Sequence, residues 1–243
     1  MKFNQQRGNA KAGDPRERTI LLLVIALVSV LAWQTTVGSL LLYPFTILAT
    51  WFHEMGHGLA AMLTGSGFDH LVLFADGSGY ARILRPADGY KVVDAVISAG
   101  GPFGPAIAGA ILIVSSRNIK TTRVALMVLG LALLVSTVIW VRSLVGWMAI
   151  PGLGAFILAV GAKAPPSLQR FVVQLLGVQA CISAWRQFDY LFSSGGRVGG
   201  QQQLSDTGAI AEVLLLPFWF WGAVISIAIL ALLWWSFRFA FRP

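Results

Sequence analysis

The sequence predicts an all-α polytopic membrane protein: about seven transmembrane helices, with a small β-hairpin on the cytoplasmic side after the second. Three observations predict it. Hydrophobic residues make up 56% of the 243-residue chain and charged ones 12%, whereas a soluble domain carries about 25% charged residues. Apolar runs long enough to cross a hydrocarbon core of about 30 Å recur along the chain, separated by short polar or Gly/Pro breaks. Nine Trp and fifteen Phe suit membrane interfaces and lipid-facing helices better than an aqueous surface.

Each element follows from its residues. Residues 1–18 form a polar tail in which Lys2, Arg7, Lys11, Arg16 and Arg18 outweigh Asp14 and Glu17; residues 19–243 form the membrane-embedded domain. The apolar run Ile20–Trp33 after a basic tail has the look of a signal peptide. No small-x-small cleavage site follows it, so it reads as a retained first helix with a cytoplasmic N-terminus. Gln34–Gly38 is the turn, and a second helix covers about 39–64. Residues 65–91 leave the membrane core. There Leu71–Ala75 and Tyr80–Leu84 flank Asp76-Gly77-Ser78-Gly79, a sequence that closes a hairpin. A third helix, about 92–116, contains Gly100-Gly101-Pro102-Phe103-Gly104-Pro105, small residues that let helix backbones approach closely in lipid.

Residues 122–162 exceed one span and are broken by Arg142-Ser143, giving two helices, about 122–141 and 144–162. Ala164-Pro165-Pro166 precedes a sixth helix, about 168–192. Its Gln174, Gln179, Ser183, Arg186 and Asp189 require one face to look into a bundle or a wet cavity. The Gly/Gln/Ser-rich stretch 193–207 reads as a mobile loop. The last helix, about 208–237, is kinked near Pro217 and ends in a Trp/Phe/Arg cluster. In this arrangement the cytoplasmic segments hold ten Lys/Arg and the opposite side seven, a modest positive-inside bias. The net charge of +8 therefore fits anionic lipid and topology. Its scattered distribution does not fit nucleic-acid binding. The expected setting is the inner membrane of a bacterial cell. A single cysteine, Cys181, excludes an intrachain disulfide.

Chemistry is concentrated in Trp51-Phe52-His53-Glu54-Met55-Gly56-His57-Gly58 on the second helix. Histidines at i and i+4 share one helix face, one turn apart, where both rings can hold one zinc ion. Glu54 lies beside that face, within reach of a water on the metal without being a ligand. The chain has three His and three Glu, so coincidence is a poor explanation. Ionisable residues within membrane-spanning sequence are costly, and mark function by default. A catalytic zinc needs a third protein ligand. Topology favours Asp189, near the end of the sixth helix. Asp206 is the second choice, and His70 reads as an ordinary polar loop residue.

Through His53-Glu54-Met55-Gly56-His57, the hairpin-like segment after it, and Ile97–Pro105, the chain resembles the site-2 protease family of intramembrane zinc metallopeptidases. The likeness is closest to a divergent bacterial and plastid-type branch, whose later part resembles Phe188-Asp189-Tyr190-Leu191 and Ser205-Asp206-Thr207. The resemblance implies His53 and His57 as zinc ligands, Glu54 as general base, and an aspartate on a later core helix as third ligand. It also implies a transmembrane protein substrate, cleaved in or near its membrane segment. The family's Leu-Asp-Gly setting for that aspartate is absent here. The rival reading is a zinc-binding membrane scaffold, or a transporter-like protein that does not cut.

Overall fold

A computed structural model describes residues 15–84, 90–240 and 242, and the chain there is mostly helical. The elements in order are α1 (Pro15–Trp33), α2 (Thr36–Leu63), β1 (Gly67–Leu73), β2 (Gly79–Leu84), α3 (Lys91–Ser115), α4 (Ile119–Ile139) and α5 (Leu144–Lys163). They continue with α6 (Pro166–Arg186), α7 (Phe188–Leu191), β3 (Gly195–Val198), β4 (Gln201–Leu204), α8 (Asp206–Val213) and α9 (Phe218–Ala240). Residues 1–14 of the basic tail lie outside the described residues.

Among the described residues, α3, α4, α5 and α9 are each long and apolar enough to cross a membrane. Residues 20–33 and α2 pass the same test only as a pair, bent by 114°. The structure thus supports four to five spans, and the expected seven are not all confirmed. The break in 122–162 falls where Arg142-Ser143 predicts it, with Ser143 capping α5. The region expected to be one helix around Pro217 is two, α8 and α9, separated by residues 214–217.

α2 and α3 run antiparallel in close contact, and glycine makes that possible. A Cβ on Gly100 would fall 2.6 Å from the Gly56 carbonyl oxygen, and one on Gly56 or Gly104 would strike the opposing backbone. The small-residue stretch of the third helix is therefore a packing face for α2, the helix that carries His53 and His57. α4 packs on α5 in the same way through Gly130 and Gly154. The main core gathers Ile47, Trp51, Leu71, Leu73, Leu126, Leu133, Ile150, Ile157 and Val173 around these contacts. Inside it the Trp51 indole donates to the Ser136 hydroxyl at 3.0 Å.

β1 and β2 form the expected antiparallel hairpin. Gly77 sits at φ +86, and the Asp76 carboxylate accepts from the Ser78 amide and hydroxyl, which holds that carboxyl below its ordinary pKa. The hairpin lies back along α2: the Thr50 hydroxyl donates to the Gly77 carbonyl and the Tyr43 hydroxyl to the Ala75 carbonyl. The outer edge of β1 is occupied, since the Leu71 amide donates to Trp140 and the Arg142 amide to Leu71. His70 is on β1 and pairs with Asp69, away from the zinc motif. The Gly-rich segment expected to be a loop contains a second hairpin, β3–β4. Its turn uses Gly199 and Gly200, both at positive φ, the conformation that Gly supplies at little cost.

Replacing Gly100 with Leu is expected to force α2 and α3 apart and lower stability by about 1–3 kcal/mol. Gly152→Leu, where a side chain meets nothing within 4 Å, is expected to leave the melting temperature near wild type. Thermal unfolding in detergent measures both.

Candidate metal centre

α2 starts at Thr35, whose hydroxyl accepts the Gly38 amide at 3.0 Å, and it carries His53, Glu54 and His57 into the bundle. The two imidazoles stand 4.8 Å apart, centroid to centroid. Each is anchored through Nδ1. His57 Nδ1 donates to the Ile97 carbonyl of α3 at 2.8 Å, and His53 Nδ1 lies 3.1 Å from the Gln187 side-chain oxygen at the end of α6. With both partners acceptors, the ring protons sit on Nδ1, and both Nε2 atoms present lone pairs to the same point.

The third group there is Asp206. Its Oδ2 is 3.1 Å from His53 Nε2 and its Oδ1 is 3.2 Å from His57 Nε2; the two Nε2 atoms are 3.1 Å apart. Neighbouring hydroxyls fix the residue. Ser205 caps α8 and also donates to the Ser193 carbonyl. The Thr207 hydroxyl donates to the Leu191 carbonyl at 2.8 Å.

Three proton-free electron-pair donors, two of them neutral and one anionic, suit a cation. A tetrahedral zinc with bonds of about 2.0–2.1 Å has ligand–ligand edges of about 3.3 Å, close to the spacings here. The Asp206 Oδ2 atom is buried and makes no hydrogen bond, as a metal-directed oxygen would. Gly101 of α3 lines the same point: a Cβ there would strike the Nε2 edges of both imidazoles. The donor set therefore fits a metal ion.

Of the two aspartates that the sequence offers, the structure places Asp206 beside the imidazoles. The structure brings together His53, His57 and Asp206, and Asp189 is not in that group. α6 does run toward the zinc motif, as the two-span reading of 122–162 requires, but it ends at Arg186 and presents Gln187. Asp189 falls on the separate single turn α7. The chain then passes through β3–β4 and returns with Asp206. Gln187 and Gly101 escaped the sequence reading. Gln187 carries no local motif, and Gly101 belongs to a stretch whose other glycines serve packing.

Glu54 is buried, 4% exposed, and faces the first hairpin: Gly79 is so close that a Cβ there would lie 3.2 Å from Glu54 Cγ. The Ala81 backbone amide is its hydrogen-bonding neighbour. His53 and Glu54 border a cavity of about 320 Å³, walled by Trp33, Thr50, Gly77–Gly79, the end of α6, Tyr190, Arg197 and Val198. A buried carboxylate beside a candidate metal and a cavity is the arrangement needed for proton transfer to and from a bound reactant.

The model of the family described as Peptidase M50B-like matches residues 20–236, nearly the whole chain. No curated protein and no solved structure matches it. The match covers the motif helix, both hairpins, Asp206 and the final helix together, and the chain belongs to the peptidase M50B-like family, a site-2 protease family.

Proposed function

We propose that this chain is a zinc metalloendopeptidase that hydrolyses peptide bonds in or near transmembrane segments of membrane proteins. The observation that carries the reading is the convergence of His53 Nε2, His57 Nε2 and the Asp206 carboxylate beside the buried, cavity-facing Glu54. His53, His57 and Asp206 would hold zinc, which when bound supplies a Lewis acid and an activated water. Glu54 takes the water proton and passes it to the leaving amine. The Gln187 and Ile97 acceptors keep both imidazoles in the ligating tautomer.

A substrate helix hides its amides in its own hydrogen bonds, so it has to unwind before the bond can be reached. β2 is suited to receive the unwound segment. The outer edge of β1 is occupied by residues 140–142, whereas β2 starts at Gly79 on the cavity wall, beside Glu54. Addition of the segment as a further strand would bring backbone carbonyls past the general base.

Three outcomes test this reading. Metal analysis of purified protein is expected to give about one zinc per chain, with His53→Ala, His57→Ala and Asp206→Asn largely empty and Asp189→Asn full, because an amide is a poor substitute for a zinc-bound carboxylate. Full zinc in Asp206→Asn would remove that residue from the ligand set. Glu54→Gln is expected to keep zinc and lose all cleavage of a transmembrane reporter, since an amide cannot take the proton. Turnover in that variant would make Glu54 structural and favour the scaffold reading. Gly101→Ala is expected to weaken zinc binding by about tenfold or more, the scale of damage to a metal site's surroundings, with little change in melting temperature.

A further inference from the structure

We infer that Arg186 and Arg197 form an anion subsite in the wall of the catalytic cavity, which selects a substrate segment carrying a carboxylate close to the scissile bond. The inference deepens the peptidase reading and rests on it for the word substrate.

The cavity's charges are unbalanced. Among its lining residues, His53 and Glu54 belong to the metal centre, and the other charged side chains are Arg186 and Arg197. A zinc ion with the Asp206 and Glu54 carboxylates is neutral in sum, so the centre has no negative charge left for the two guanidinium groups. Among the described residues, no carboxylate lies within ion-pair distance of either. Both side chains are exposed and so open to an incoming group. The planar fork of donors on arginine matches a carboxylate in two-point contact.

Both arginines are held in place by other elements. Arg186 lies over the Trp33 ring at 4.0 Å. That indole is itself fixed, since its N–H donates to Gln179 and the Gln179 amide donates to Ser29. Arg186 precedes Gln187, which orients His53, so the cation stands one residue from the metal centre's support. Arg197 is carried on β3, and the tip of its hairpin is tied to the first hairpin by the Gly199 amide donating to the Ser78 hydroxyl at 3.1 Å. Ser78 and Ser183 add hydroxyl groups to the same wall. Two cations reach the cavity from two different elements, with neutral donors beside them. Both cations line the one cavity, which is what the inferred subsite requires.

The carboxylate could come from an acidic side chain or from a chain end, and the test separates the two. Zinc-loaded Glu54→Gln protein in detergent is titrated, by fluorescence anisotropy, with three fluorescein-labelled apolar peptides. One has a central Asp and an amidated end, one a central Asn and an amidated end, and one a central Asn and a free carboxyl end. At least one carboxylate peptide is expected to bind about fivefold tighter than the neutral one, the scale of a partly exposed charged pair. Which of them does so identifies the source. The preference is expected to shrink in high salt and to vanish when Arg186→Gln and Arg197→Gln are added, with zinc content unchanged. Arg197→Gln alone, at an exposed strand position, is expected to reduce it if the double replacement does not fold. Equal binding of all three peptides, absent binding of all three, or a preference indifferent to these replacements would each overturn the subsite. Cleavage by the unmutated chain is scored separately. A carboxylate preference without cleavage would sink the peptidase reading and leave the subsite, and cleavage without preference would do the reverse.

Discussion

The structure depends on bringing two imidazole lone pairs and one carboxylate to a common point inside a bundle of apolar helices. Such a cluster is unfavourable by itself. Two nitrogen lone pairs 3.1 Å apart repel, and a buried carboxylate is costly unless it has a partner. A cation at that point would turn both penalties into bonds, and much of the surrounding chain holds the donors in place for one. Ile97 and Gln187 fix the ring protons. Ser205 and Thr207 pin Asp206 from both sides through their hydroxyls. Gly101 leaves the space open.

The same constraint explains the packing of α2 and α3. His57 can donate to Ile97 only if the two helix backbones nearly touch, and that approach is made by Gly56, Gly100 and Gly104. The glycines serve two purposes within a few residues. Gly100 and Gly104 let the helices close, and Gly101, one position on, faces the donors. A single side chain at any of the three would disturb the donor cluster, either by separating the helices or by filling the space between the donors.

What was legible in the sequence follows the range of the interactions involved. His53, Glu54 and His57 declare themselves because their spacing is local and α-helical geometry converts it directly into a shared face. The first hairpin was legible for the same reason, through its Asp-Gly-Ser-Gly turn. The third member of the donor cluster depends on how α6 ends and where β3–β4 returns the chain, and no local pattern encodes either. Asp189 looked favourable because the direction of α6 was right, but the helix stops at Arg186 and Gln187 takes the position beside His53. The second hairpin was hidden by composition: Gly199 and Gly200 read as flexibility, yet their positive φ values close a turn. Seven spans are not confirmed because α6 is polar, with Gln169, Gln174 and Gln179 buried in the bundle, and residues 20–33 and α2 pass the test only as a bent pair.

This second hairpin also links two parts of the site that are far apart in sequence. Its tip touches the turn of the first hairpin through Gly199 and Ser78, and Arg197 on β3 reaches the cavity wall. Its last strand runs directly into Ser205-Asp206-Thr207. The cavity mouth and the third donor are therefore two ends of one short covalent segment. Beside that donor, the Ser205 and Thr207 hydroxyls bond to the Ser193 and Leu191 carbonyls. A hydroxyl on each side of the ligand has a physical purpose in that arrangement. It ties the residues on either side of Asp206 to the Ser193 and Leu191 carbonyls.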